Sequence, residues 1–199
     1  MTDLFQEPDD ATTVEPHDRQ ALRQSWITNR QDLNQAEEAN IAKGFAWANG
    51  RRSLKPDDIL TIDFVRALHK QMFGDVWSWA GDFRTRDVNI GNVQAHRIPV
   101  DLPAMLDEVK YWADHQTFSS DEIAVRLHHR LVEIHPFPNG NGRHARLMAD
   151  LLIQRLDGRP FSWGSGSLKS VGELRKRYVE ALKMADDHDL QPLIEFARS

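Results

Sequence analysis

The 199 residues contain no cysteine, which excludes disulfides, thiolate-held metals and cysteine nucleophiles together. Nor is there an apolar run near the roughly 20 residues needed to cross a bilayer. Leu151-Leu152-Ile153 is typical of the apolar runs present, so no membrane span is expected. The opening segment, Met1 to Asp18, is acidic and polar rather than basic and then apolar. No signal or transit peptide is therefore expected, and a cytoplasmic location is. Basic side chains are in the minority, 25 against 30 acidic ones, for a net charge of −5. Duplex binders usually concentrate basic charge, because counterion release from phosphates supplies much of their affinity. Nucleic acid is thus not an expected partner, whereas a few clustered arginines would suffice for a nucleotide.

What is present is globular in texture. Hydrophobic residues are 40% and charged residues 28%, which suits one buried core. Residues 1–18 mix Pro, Asp, Glu and Thr with few apolar anchors and are expected to be a mobile polar arm. Residues 19–199 are expected to form a single domain. Helical spacing of apolar residues runs from Leu22 to Trp47 and from Pro56 to about Gly74. It resumes after Pro103, again from about Ser120 to Ile134, and from about Gly142 to Leu156. A Gly/Ser/Pro loop follows at Gly158 to Ser167, then helices over about Ser170 to Asp187 and Asp189 to Ala197. Residues 81–100 read differently: Val88, Ile90, Val93 and Ile98 are spaced by polar residues around Asn-Ile-Gly-Asn, which predicts a β-hairpin. The expectation is an all-α fold carrying one hairpin.

The chemistry concentrates in His135-Pro-Phe-Pro-Asn-Gly-Asn-Gly-Arg-His-Ala-Arg146. It reads as a helix end, a bend with two glycines, and a helix start. Gly140 and Gly142 allow positive φ and close backbone approach. The amides that follow open a helix N-terminus, where unpaired N–H groups and the helix dipole favour an anion. Arg143 and Arg146 lie three apart, so both are placed to clamp successive phosphates. His135, at the preceding helix end, is placed as a general base. A Walker-type loop is excluded because no Gly-Lys-Ser/Thr follows the glycines.

This stretch resembles the motif of the Fic (filamentation induced by cAMP) domain family, His-x-Phe-x-Asp/Glu-Gly-Asn-Gly-Arg-x-x-Arg. It matches at His135, Phe137, Gly140, Asn141, Gly142, Arg143 and Arg146. Similarity extends to Leu68–Phe73, Val76–Arg84, Tyr178–Leu182 and Pro192–Phe196, and the layout is similar to the subgroup called mobile mystery protein B. The resemblance implies an all-α core and transfer of AMP from Mg·ATP to a Ser, Thr or Tyr hydroxyl of a target protein, the chain itself included. His135 would take the hydroxyl proton and Phe137 would anchor the loop. Asn141 and the amides around Gly140 and Gly142 would hold the α-phosphate, Arg143 the β-phosphate region and Arg146 the γ-phosphate. The family's Asp or Glu, a ligand for Mg²⁺, is replaced by Asn139, so weaker metal binding is expected.

By the same resemblance, the hairpin at 81–100 would be a flap against which an extended target segment docks. Family members also carry an inhibitory helix whose glutamate pairs with the second motif arginine. Here Glu37 and Glu38 are the candidates, and adjacent helical residues diverge by about 100°, so at most one can face Arg146. Trp77 and Trp79 read as core, Tyr178 as packing or an adenine neighbour, and His128-His129 as diverging rather than metal-binding. Two rival functions remain: another nucleotidyl or phosphoryl transfer on the same scaffold, as in death-on-curing relatives, and a catalytically silent binding module.

Overall fold

Polar residues placed just ahead of apolar runs start the helices. The computed structural model describes residues 18–199 except 52, 89–90 and 166–170; of the arm expected at 1–18, residues 1–17 lie outside them, and Asp18 opens a short 3-10 turn, Asp18–Ala21. The Asn29 side chain accepts from the Asp32 amide and opens α1 (Arg30–Asn49). Thr61 caps α3 (Ile62–Phe73) through the Phe64 amide. Thr61 thereby divides the stretch expected as one helix from Pro56, leaving a single turn, α2 (Pro56–Ile59), before it. Ser119 caps α5 (Ser120–Ile134) through Glu122. The remaining helices are α4 (Ile98–His115), α6 (Asn141–Arg155), α7 (Val171–Asp186) and α8 (Gln191–Arg198).

α5 and α6 pack against each other, and the loop joining them carries the motif. Along α5, Ile123, Leu127, Leu131 and Ile134 are buried on one face together with Met148, Leu151 and Leu152 of α6, with α3 and α4 completing that core. Ala124, Val125, Ala149 and Ile153 are buried in a second cluster with α7 and α8. Both central helices are therefore apolar on two sides. Each fully buried Leu or Ile contributes about 2 kcal/mol of hydrophobic transfer, and that rigidity bears on the loop between them. Trp77 is buried, with Trp79 stacked on it at 5.1 Å.

The hairpin expected at 81–100 is corrected by the structure. No strand forms among the described residues of that segment, and Ile98, Pro99 and Val100 already belong to α4. Its alternation is real, but its backbone groups find partners elsewhere. The Arg86 and Val93 carbonyls accept from the Arg84 side chain, the Ala95 amide donates to Asp87, and the Asn92 amide donates to the Glu133 carbonyl. Pro99 near the start of α4 pre-sets helical φ. A side chain, not a partner strand, organises this segment.

Candidate functional site

The loop begins where α5 must stop. Pro136 disfavours right-handed helical geometry at the residue before it, and His135 takes φ 50° and ψ 59° while its amide still donates to Leu131. Phe137 is fully buried, its ring stacked on His69 at 3.7 Å. Asn141 is also buried, and its amide group pairs with both polar atoms of the Phe137 backbone: Phe137 N donates to Oδ1 at 2.9 Å and Nδ2 donates to Phe137 O at 2.8 Å. Its side chain thus staples the loop, with both of its polar atoms engaged by the Phe137 backbone. Gly140 has φ 80°, and a Cβ there would lie 2.5 Å from the Phe73 ring. Only glycine satisfies both conditions.

His69 secures the same loop from α3. The Gly81 amide donates to its Nδ1 at 3.0 Å, so its Nε2–H donates to the Asn139 carbonyl, also at 3.0 Å. Burial holds its pKa well below the usual value. Neutral His69 therefore ties α3, the start of the 81–97 segment and the motif loop together. The sequence reading gave His69 no role; its partners are backbone atoms that no local pattern brings near.

His135 is only 4% exposed. Gly91 lies over it, and a Cβ at Gly91 would approach the His135 Cβ to 2.8 Å. The ring's Nδ1 faces the Val132 carbonyl at 3.1 Å. That contact selects the Nδ1–H tautomer and makes Nε2 the basic nitrogen. Burial, ahead of the nearby Arg84 charge, lowers the pKa to about 4, so the imidazole is neutral at physiological pH, as a proton acceptor must be.

The two motif arginines turn to different neighbours. Arg143 Nη1 donates to Glu37 Oε2 at 2.8 Å, and the Trp77 indole donates to the other Glu37 oxygen, also at 2.8 Å. Glu37 is buried on α1, whereas Glu38 is exposed. The resemblance placed the inhibitory glutamate on Arg146; the structure places Glu37 on Arg143, because Trp77 fixes the carboxylate over the first turn of α6. Arg146 lies instead over the Tyr178 ring at 5.1 Å. The Tyr178 hydroxyl meets His128 Nε2 at 3.0 Å, while His129 pairs with Asp186 at 2.7 Å. The consecutive histidines thus take separate partners, both on α7.

Asn139 offers an amide oxygen that already accepts the Gly140 amide at 2.6 Å. No group of three His, Asp or Glu side chains suited to a metal occurs among the described residues. The donor set does not fit a protein-held Mg²⁺. Among the described residues, no helix is long and apolar enough to cross a membrane.

A helix N-terminus behind a glycine bend, basic side chains in its first turns and a neutral imidazole at the preceding helix end come together in an all-helical domain, and such a helix end favours an anion. Residues 59–153 match the Fic/DOC family model, so the chain contains a Fic domain. Protein adenylyltransferase Fic of Drosophila ananassae is 30% identical over 141 residues, covering 69% of this chain and 27% of the relative. This chain therefore spans about a quarter of that relative's length. Fic-1 from C. elegans superposes with a TM-score of 0.62 at 25% identity, over 81% of this chain and 48% of that one. The N-terminal FIC domain of Bep8 from Bartonella sp. 1-1C shares the fold, with a TM-score of 0.68 at 17% identity over 94% of both chains.

Proposed function

We propose that the chain is a protein adenylyltransferase that moves AMP from Mg·ATP to a protein hydroxyl. The observation supporting this reading is a neutral His135, its Nδ1 turned to the Val132 carbonyl, at the end of α5 in the short loop that leads into the N-terminus of α6. The target's hydroxyl oxygen attacks the α-phosphorus, the bond from that phosphorus to the bridging oxygen of the β-phosphate breaks, and pyrophosphate leaves. The hydroxyl proton passes to His135 Nε2. The α6 amides hold phosphate oxygens as charge shifts toward the leaving group, and Arg143 and Arg146 hold the outer phosphates. Mg²⁺ enters with the nucleotide as part of the substrate, and Asn139 adds at most a neutral oxygen.

Glu37 occupies Arg143 and so competes with the nucleotide for it. The hydroxyl is supplied by a target protein, or by a second copy of this chain, lying against the segment over His135. A reducing cytoplasm, where ATP is abundant, suits a cysteine-free chain.

Incubation with α-labelled ATP and cell extract should label a protein band, and His135→Ala should abolish it. Empty lanes for the wild type and for Glu37→Gln alike would defeat the reading. Label from γ-labelled ATP instead would indicate phosphorylation, against which the intact Gly142-Arg143 argues. The turned-in Asn139 oxygen favours a second reading, a silent binding module. Calorimetric titration with Mg·ATP separates the two, since such a module need bind no nucleotide.

A further inference from the structure

Arg84 is engaged by several main-chain carbonyls near the site, although it belongs to neither the motif nor a helix. Its side chain is 3% exposed. Its Nε donates to the His135 carbonyl at 2.6 Å, and Nη2 donates to the Ile134 carbonyl at 3.2 Å. These two carbonyls end α5, where main-chain acceptors lack helical partners and the dipole favours a cation. The Arg84 amide donates to the next carbonyl, Pro136, at 2.9 Å. Three consecutive carbonyls around the imidazole-bearing residue are thus taken by one arginine.

The same guanidinium holds the other side. Nη1 donates to the Arg86 carbonyl at 2.8 Å and Nη2 to the Val93 carbonyl, while Asp87 lies 3.5 Å away and accepts the Ala95 amide at 2.7 Å. Both limbs of the segment over His135 are therefore fastened to the atoms that fasten the His135 backbone. A left-handed conformation is unfavourable for a non-glycine residue, and His135 keeps it at φ 50°. Lysine lacks the planar fork that reaches so many acceptors at once.

We infer that Arg84 is a positioning residue for His135, a clasp that locks the end of α5 to the two limbs of the covering segment so that imidazole and cover keep one geometry. The inference rests on the adenylyltransferase reading for its kinetic consequence but not for its structural one. Arg84 touches no reacting atom. Its effect on turnover comes through the aim of the imidazole, where an ångström of misplacement costs about a hundredfold.

Arg84→Lys tests this in the full chain by two readouts. With α-labelled ATP, kcat should fall about a hundredfold, with KM for ATP changed less than about threefold, since the α6 amides and motif arginines are untouched. By amide hydrogen exchange, the Asn92 and Ala95 amides should lose protection together while those of α6 keep theirs. Equal labelling by wild type and Arg84→Lys, a loss confined to KM, or unchanged protection at Asn92 and Ala95 would each overturn the clasp. If the wild type gives no label, the adenylyltransferase reading fails and the exchange readout still decides the clasp. Should Arg84→Lys fail to fold, Asp87→Ala, which removes the acceptor of the Ala95 amide and leaves the guanidinium's carbonyl contacts intact, should loosen Ala95 with kcat lowered less than tenfold. Unchanged Ala95 protection in that variant would count against the clasp.

Discussion

Glu37 and Arg143 lie 106 positions apart in sequence and meet at 2.8 Å across α1 and α6. The pairing is unequal: the carboxylate side chain is 6% exposed and the guanidinium 38%. Trp77 holds the carboxylate in place, so the arginine is the partner able to leave. A phosphate offers it a stronger, bidentate acceptor, and Glu37 then keeps only the indole.

Replacing Glu37 by Gln should keep the Trp77 bond and remove the charge competing for Arg143. With one partner half in water, the stability cost should be about 1 kcal/mol or less. Labelling from α-labelled ATP should rise about tenfold, the equivalent of about 1.4 kcal/mol of released competition. A fall in labelling would make Glu37 an aid that orients Arg143 and would remove the inhibitory assignment.

The motif glycines should separate stability from activity. Gly140→Ala places a methyl 2.5 Å from the Phe73 ring at φ 80°, and thermal unfolding should show a loss of about 3 kcal/mol from strain and overpacking. Gly142 lies within α6, and the nearest atom to a Cβ there is the Tyr178 hydroxyl at 3.8 Å. Gly142→Ala should therefore fold as well as the wild type yet lose labelling, because its methyl stands beside the amides proposed to hold phosphate. Full activity in Gly142→Ala would displace the nucleotide from this loop.

Acid should destabilise the fold. Burial lowers the pKa of His144 from 6.5 to about 4 and that of His128 to about 3, and His69 shifts the same way. The unfolded chain binds these protons first, so the stability contributed by the neutral rings is complete above pH 6.5 and lost as pH falls toward 4. For His144 alone this is about 3 kcal/mol at pH 4. Urea midpoints measured from pH 7.5 to 4.5 should decline throughout the range below 6.5. His144→Gln, whose amide can still donate to the Val65 carbonyl, should flatten that decline; an identical slope would exclude His144 as a contributor.

Asn139→Asp supplies the carboxylate the loop lacks while preserving an acceptor for the Gly140 amide. Calorimetry should show Mg·ATP binding tightened by at least about tenfold, with no comparable gain for ATP in the presence of a chelator. Equal gains in both titrations would mean that the residue acts on the loop rather than the metal.

The helices and the motif were legible in the residues themselves. Periodic apolar positions at Ile123, Leu127, Leu131 and Ile134 mark α5, and the prolines after His135 mark its end. The hairpin expected at 81–100 does not form, because alternation of Val88, Ile90 and Val93 describes a strand only if another strand is available. Here Arg84 meets the backbone's hydrogen-bonding needs instead. Asn141 and Arg143 were read by residue type, but their partners, Phe137 across a turn and Glu37 across the fold, depend on packing.

Although α1 starts at Arg30 rather than near Leu22 and α4 starts at Ile98, inside the segment expected as a hairpin, local chain chemistry determined the course and end of α5 and that a glycine bend with two arginines follows a histidine. Those properties depend on spacing, capping and backbone freedom, which neighbours in sequence settle. Only the folded arrangement decided that Glu37 meets Arg143 rather than Arg146, that burial keeps His135 neutral, and that Arg84 and His69 brace the loop from opposite sides. Each of those depends on distances between residues far apart in sequence, and long-range packing alone sets such distances.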